Sequence, residues 1–218
     1  LYSGEQWAGN HHNNYVGFRQ KESLCFTKNA PTTIFLVEFE SLEQSVKAKE
    51  EIRAKFNLGK HSVHINDTHE QTIRLAQCVF NKNSLKFLCD STPQNYQKFN
   101  DLLSKFKTYI EQNNLDIDEY AVTASSVLSV YGLREGQDLD YIHSKTSPTL
   151  NLENDIQSHN LYGLGRYDLN YDEIIHHPDN HFYTQGVKFV SPKVVRDLKQ
   201  KRNEPKDISD INLLDKII

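Results

Sequence analysis

Between Tyr120 and Ile142 an apolar run, a pair of hydroxyl residues (Ser125, Ser126), a second short apolar run and then Asp138-Leu139-Asp140-Tyr141-Ile142 follow one another directly. Two carboxylates inside an apolar run are tolerated only where the backbone sends acids and apolar side chains in different directions. Extended geometry does this. A strand over 138–142 places Asp138 and Asp140 on one face and Leu139 and Tyr141 on the other. Carboxylates held on one face repel unless a cation lies between them, and hard oxygen donors favour Mg2+ or Mn2+. Upstream, residues 120–124 read as a strand and 126–132 as a short helix, whose N-terminal N–H groups attract phosphate. The segment is thus expected to fold as strand, turn, helix and acidic strand around one corner. Asp138 and Asp140 are the candidate catalytic and metal-holding residues, and Ser125 and Ser126 the candidate phosphate contacts. Gly132 can terminate the helix, and Arg134 either clamps phosphate or pairs with Glu135.

The remaining chain is read from local signals. Residues 1–32 are rich in Gly and Asn, with Trp7 and Tyr15 as anchors, and are expected to form an irregular arm. Residues 33–39 are β-branched and aromatic and predict a strand. Ser41 and Gln44 make a capping box for a helix to about Phe56, with Leu42, Val46 and Ile52 inward. A second strand is expected over 61–65. Thr68 and Gln71 cap a helix to about Phe80, and 85–89 reads as a third strand. Thr92-Pro93 is expected to open a long helix, because Pro suits its first position; the stripe Tyr96, Phe99, Leu103, Phe106, Ile110 carries it. This order predicts an α/β (α+β) chain whose N-terminal half is a βαβαβ-like layer. Asn113-Asn114 marks the expected boundary between a subdomain over 33–114 and one over 115–218. Beyond 144 the chain is loop-rich, with a helical turn near 171–176, a hairpin over 181–190, a helix capped by Ser191-Pro192 and a last helix opened by Pro205 with Ile208, Ile211, Leu214 and Ile218 inward.

The strand, serine pair, short helix and Asp138-x-Asp140 resemble the signature of the polymerase-beta-like nucleotidyltransferases, in which a Gly-Ser turn contacts the nucleotide and two Asp residues hold the metals. Further on, Gly186-Val-Lys-Phe-Val-Ser-Pro, Lys199, Lys201-Arg202 and Lys206-Asp207-Ile208-x-Asp210-Ile211 resemble the tail of small members of that superfamily, of the antitoxin and sugar-modifying types. The resemblance implies a nucleotidyltransferase-like palm with C-terminal helices, a nucleotide or nucleotide-sugar donor and a small, sugar-type acceptor in surface-polysaccharide synthesis. It adds Lys201, Arg202 and Lys206 as phosphate-binding candidates, while Asp207 and Asp210 read as solvated charges. Two departures stand out. Ser125-Ser126 replaces Gly-Ser, and the hairpin over 181–190 carries no third carboxylate, leaving Glu153, Asp155, Asp168 and Asp179 in flanking loops. A glycosyltransferase or LicD-like phosphotransferase using a nucleotide-activated donor is the alternative chemistry, and a non-catalytic nucleotide-binding module the alternative without chemistry. His61, His64, Asp67 and His69 match no metal-ligand spacing; His64, Asn66, Asp67 and His69 are candidate acceptor contacts at the end of an expected strand.

A net charge of −4 argues against general nucleic-acid binding, which needs a basic surface. No apolar run approaches the roughly 20 residues of a membrane span. Cys25, Cys78 and Cys89 are odd in number and scattered, as in reduced cytoplasmic proteins. The chain opens on Leu1 and has no Met, so a further domain outside it is expected.

Overall fold

The computed structural model describes residues 13, 15–25, 32–66, 68–152, 155–162, 165 and 167–218. Trp7, Asp67 and Glu153, and most of the expected arm, lie outside the described residues. The chain divides into two units, Leu1–Ala76 and Gln77–Ile218.

In the first unit the described residues form helices and extended segments. Val16–Cys25, expected within an irregular arm, is helix α1; Arg19, Gln20, Lys21 and Glu22 are good helix formers and outweigh the Asn and Gly upstream. Helix α2 (Leu42–Phe56) starts as expected: the Ser41 hydroxyl accepts from the Gln44 N–H at 3.2 Å, and Gln44 Oε1 accepts from the Glu40 N–H at 2.9 Å. Helix α3 (His69–Val79) is capped by Thr68, whose Oγ1 accepts from the Gln71 N–H at 3.2 Å. The expected strands over 33–39 and 61–65 are not strands. Residues 32–39 run without a ladder, with Phe35 79% exposed, and Gly59–His61 is a 3-10 turn followed by irregular chain. Strand propensity expresses packing on a sheet, and among the described residues neither segment has a strand partner. Leu42 and Val46, expected inward on α2, are exposed.

The second unit holds the sheet and the whole buried apolar core of the described residues, from Phe87 to Ile217. Its elements are α4 (Lys82–Asp90), α5 (Gln97–Gln112), β1 (Tyr120–Thr123), α6 (Ser125–Val130), β2 (Leu139–His143), β3 (Ile156–Ser158), α7 (Tyr171–His176), β4 (His181–Thr184), β5 (Val187–Val190), α8 (Pro192–Arg202) and α9 (Pro205–Leu214). The third expected strand is α4. Asn81 Oδ1 caps it by accepting from the Ser84 N–H at 2.8 Å, Ser84 and Phe87 turn inward three residues apart, and Lys86 pairs with Asp90 one turn on. The short run Leu85-Lys86-Phe87-Leu88-Cys89 cannot by itself separate strand from helix; the cap could have. The expected βαβαβ layer therefore contributes helices and irregular chain but no strand among the described residues, and the sheet is built entirely from residues after 119. Helix α5 buries Phe99, Leu103, Phe106 and Ile110 as expected but begins at Gln97, because Thr92 is tied to Tyr131 and Tyr96 to Gly132.

The sheet is mixed and five-stranded, in the order β3-β2-β1-β5-β4. β1 runs antiparallel to β2 and parallel to β5, β2 runs parallel to β3, and β4 and β5 form the expected hairpin. Register places Tyr120 opposite His143 and Val122 opposite Tyr141, so these share the face on which Phe106 of α5 packs. Thr123 opposite Asp140 belongs to the other face. Buried Lys188 lies on that second face and is satisfied by carbonyls of Asp118 (2.6 Å) and Ile175 (2.9 Å). Helix α9 turns a different stripe inward from the one expected. Asp207, Asp210, Leu214 and Ile217 are buried, while Ile208 and Ile218 are 61% and 50% exposed. Among the described residues no helix is long and apolar enough to cross a membrane.

Candidate functional site

The corner between β1, α6 and β2 forms where the chain leaves β1. Ala124 has φ 53° and ψ −127°, a conformation that favours glycine, and no side chain caps the start of α6. The Ser125 hydroxyl donates to Asp138 Oδ1 at 3.2 Å, and the buried Ser126 hydroxyl donates to the Asp138 carbonyl at 3.3 Å. Both serines thus meet Asp138, one at its carboxylate and one at its backbone. A Cβ at Gly136 would stand 3.0 Å from Ser125 Oγ and 3.2 Å from Ser129 Oγ, so the loop closes on the serines because position 136 is glycine. The missing glycine of the serine pair therefore has two local counterparts: close approach comes from Gly136, and the unusual backbone angle falls on Ala124.

Asp138 immediately precedes β2, and Asp140 sits within it opposite Thr123. Asp140 keeps 13% of its side chain exposed, and its Oδ2 lies 3.4 Å from Nε2 of His159, which is 3% exposed. His159 Nδ1 lies 3.0 Å from the Tyr167 hydroxyl, which lies 2.9 Å from Thr123 Oγ1. The ring therefore starts and ends on the register pair Thr123–Asp140. Its neighbour Asn160 also has a role: its side chain accepts from the His143 N–H at 3.0 Å and donates to the His143 carbonyl at 2.7 Å, fastening the end of β2.

The tail residues form a buried charge cluster. Arg134 makes a two-point contact with Asp210 (2.6 Å and 2.6 Å), and Arg202 grips both oxygens of Asp207 through Nε at 2.9 Å and Nη2 at 2.5 Å. Buried Lys199 reaches Asp210 at 2.7 Å and Asp207 at 3.5 Å. The expectation that Asp207 and Asp210 are solvated is overturned; they are 0% and 2% exposed. Burial pushes the Asp207 carboxyl up, but Arg202, the Glu204 N–H and Lys199 outweigh it and hold it down at about 2. Asp210 is lowered in the same way: burial opposes, and Arg134 and Lys199 prevail. The pKa of Arg134 is raised chiefly by its hydrogen bonds to Asp210, with Asp138 adding to the field; that of Arg202 is raised chiefly by Asp207, with a contribution from Asp140. Arg134 and Arg202 are thus each held by a buried aspartate of α9.

The other candidates make contacts of their own. Lys201 pairs with Asp168 at 2.7 Å, and Lys206 with Glu204 at 3.1 Å, both at the surface. His64, Asn66 and His69 belong to the first unit, where Asn66 bonds Thr72 and His69 opens α3. Asp155 is exposed and pairs with Lys98 at 3.4 Å, while Asp179 sits in the 3-10 turn Pro178–Asn180 before β4. Among the described residues no three His, Cys, Asp or Glu side chains form a ready-made metal cage. Mg2+ does not need one, since it keeps waters and binds through one or two carboxylates and substrate phosphates. The Asp138, Asp140 and Ser125 oxygens fit that donor set. A broad depression of about 660 Å3, lined by Asn95, Gln97, Lys98, Asp101, Glu135 and Asp155 among others, connects to β2 through Asp155, whose carbonyl accepts from the Leu139 N–H at 2.8 Å.

Sequence reasoning missed Thr123, His159, Tyr167 and Gly136, which carry no local motif. For Asp207 and Asp210 a signal existed: positions 207, 210, 214 and 217 have 3-4-3 helical spacing. No protein-family model, curated protein or solved structure matches the chain.

Proposed function

We propose that the Gln77–Ile218 unit is a nucleotidyltransferase-like module that binds a nucleotide-bearing donor through Mg2+ at Asp138 and Asp140 and transfers a nucleotidyl or phosphoryl group to a small acceptor. One observation carries this reading. Ser125 donates to Asp138 Oδ1, Asp140 lies partly exposed in the neighbouring strand, and Arg134 and Arg202 are bound by Asp210 and Asp207 and form no ion pair with either acid. Bound there, Mg2+ neutralises phosphate charge and orients an attacking hydroxyl. The chain's own part is positional. Asp138 and Asp140 supply the hard oxygens, and Ser125 steadies Asp138. The amide and carboxylate groups of the depression beside Asp155 suit a hydroxyl-rich acceptor such as a sugar.

Calorimetric titration with nucleoside triphosphate and Mg2+ tests the site. Asp138→Asn with Asp140→Asn is expected to abolish Mg2+-dependent binding with an unchanged circular dichroism spectrum; unaltered affinity would remove the assignment. A second reading, binding without turnover, is favoured by the hairpin over 181–190, which carries no acid where the resemblance implies a third carboxylate. Pyrophosphate release from a nucleoside triphosphate marks nucleotidyl transfer, and nucleoside mono- or diphosphate release from an activated sugar marks the glycosyl or phosphosugar alternative. Tight binding with neither product marks the binding module.

A further inference from the structure

His159 lies outside every motif of the chain, yet it is buried against the one candidate metal ligand that belongs to a strand. The direction of its contacts follows from chemistry. An Asp140 carboxylate only accepts, so the Nε2–H tautomer is the one that suits the 3.4 Å contact with Oδ2. In that tautomer Nδ1 accepts, and the Tyr167 hydroxyl is a donor within reach, which in turn accepts from Thr123 Oγ1. The Tyr171 hydroxyl donates to the His159 carbonyl at 3.2 Å and fixes the backbone that carries the ring. Thr123 is also the residue opposite Asp140 in the sheet, so the chain of bonds closes on the strand pair it started from.

We infer that Thr123, Tyr167 and His159 are positioning residues that fix the His159 tautomer and hold Asp140 by its Oδ2, presenting Oδ1 to the metal. The inference rests on the metal-binding reading of Asp138 and Asp140. It accounts for a buried imidazole beside a carboxylate with no third acid: the ring aims the ligand. Partners behind a ligand typically change metal affinity about 10- to 100-fold when removed.

Two measurements on the full chain test this. Mn2+ binding is followed by electron paramagnetic resonance in wild type, His159→Ala, His159→Gln and Tyr167→Phe. His159→Ala is expected to weaken Mn2+ binding by about 10-fold or more, and His159→Gln, whose amide N–H reaches the place of Nε2–H, to restore most of it. The 15N shifts of the His159 imidazole are recorded without metal: wild type is expected in the Nε2–H tautomer and Tyr167→Phe in a mixture, a change that packing alone would not produce. Unchanged Mn2+ affinity in His159→Ala, or an unaltered tautomer in Tyr167→Phe, overturns the inference while leaving the metal reading intact. Wild type that binds no Mn2+ overturns both. Should His159→Ala not fold, Tyr167→Phe, which removes one hydroxyl and no volume, decides through both measurements.

Discussion

Ala124 shows how a single residue can report a site. Its backbone lies at φ 53°, where an L side chain is strained, while the chain places Ala rather than Gly there. Such strain costs about 1–3 kcal/mol, and glycine's extra unfolded-state entropy offsets roughly 0.4–1 kcal/mol of any relief. Ala124→Gly is therefore expected to stabilise the protein by about 1 kcal/mol, raising Tm by a few degrees. A lower Tm by calorimetry would show that the corner is not strained. The same residue accounts for a serine pair with no glycine in it. The glycine-favouring conformation is a backbone property, and an alanine code word hides it. His159 is the opposite case: its identity is plain, but its partner Asp140 is known only once β2 and β3 are paired.

At the level of elements, α9 carries the clearest lesson. Its stripe of isoleucines invites an inward assignment, yet the helix rolls so that Asp207 and Asp210 point in and Ile208 points out. The roll is set by Lys199 and Arg202 from α8 and by Arg134 from the loop after α6, which meet the two acids in the interior. Removing one partner leaves charge buried without compensation. Asp210→Ala is expected to cost about 3–5 kcal/mol in denaturant unfolding, and Arg134→Met in the same background to recover part of that loss. A cost below about 1 kcal/mol would mean the pairs are solvated. Helix α4 makes the complementary point. Its identity was readable from Asn81 and the Ser84–Phe87 spacing, and the short run over 85–89 masked both.

Across the whole molecule the buried groups tie stability to pH. Burial lowers the His181 pKa from 6.5 to about 4, with its Nδ1 bonded to the Ile174 carbonyl at 3.1 Å. A histidine kept neutral by the fold stabilises above its unfolded pKa, so that contribution falls away as pH drops from 6.5 towards 4. Asp207, depressed from 3.8 to about 2, contributes above pH 3.8 and loses its contribution as pH falls towards 2; Asp210 shifts in the same direction. Unfolding free energy is therefore expected to decline in two acid stages, the first involving His181 and the second the aspartates, each on the order of 2–3 kcal/mol. Denaturant titrations across this range check it. His181→Gln should flatten the upper stage alone, and a flat profile between pH 6.5 and 4 would contradict the assignment.

Local signals were enough to read the β1–α6–β2 corner, the Phe99–Ile110 stripe, the hairpin and the starts of α8 and α9. Caps and periodicity act within one or two turns of chain, and they place Asp140 on its strand; Asp138, expected on the same strand, falls one residue before β2 because the ladder with β1 and β3 starts only at Leu139 and Asp140. Three things required the folded chain. Residues 33–39 have strand composition, but a strand exists only where another offers its edge. Asp207 and Asp210 have the composition of a solvated helix face, and the cations that draw them inside come from α8 and from Arg134, which is far away in sequence. Asp140 announced itself, but the His159–Tyr167–Thr123 path that holds it joins three segments no motif connects. Hydrogen bonds and burial between distant residues decide such matters, and they come into being only with the sheet.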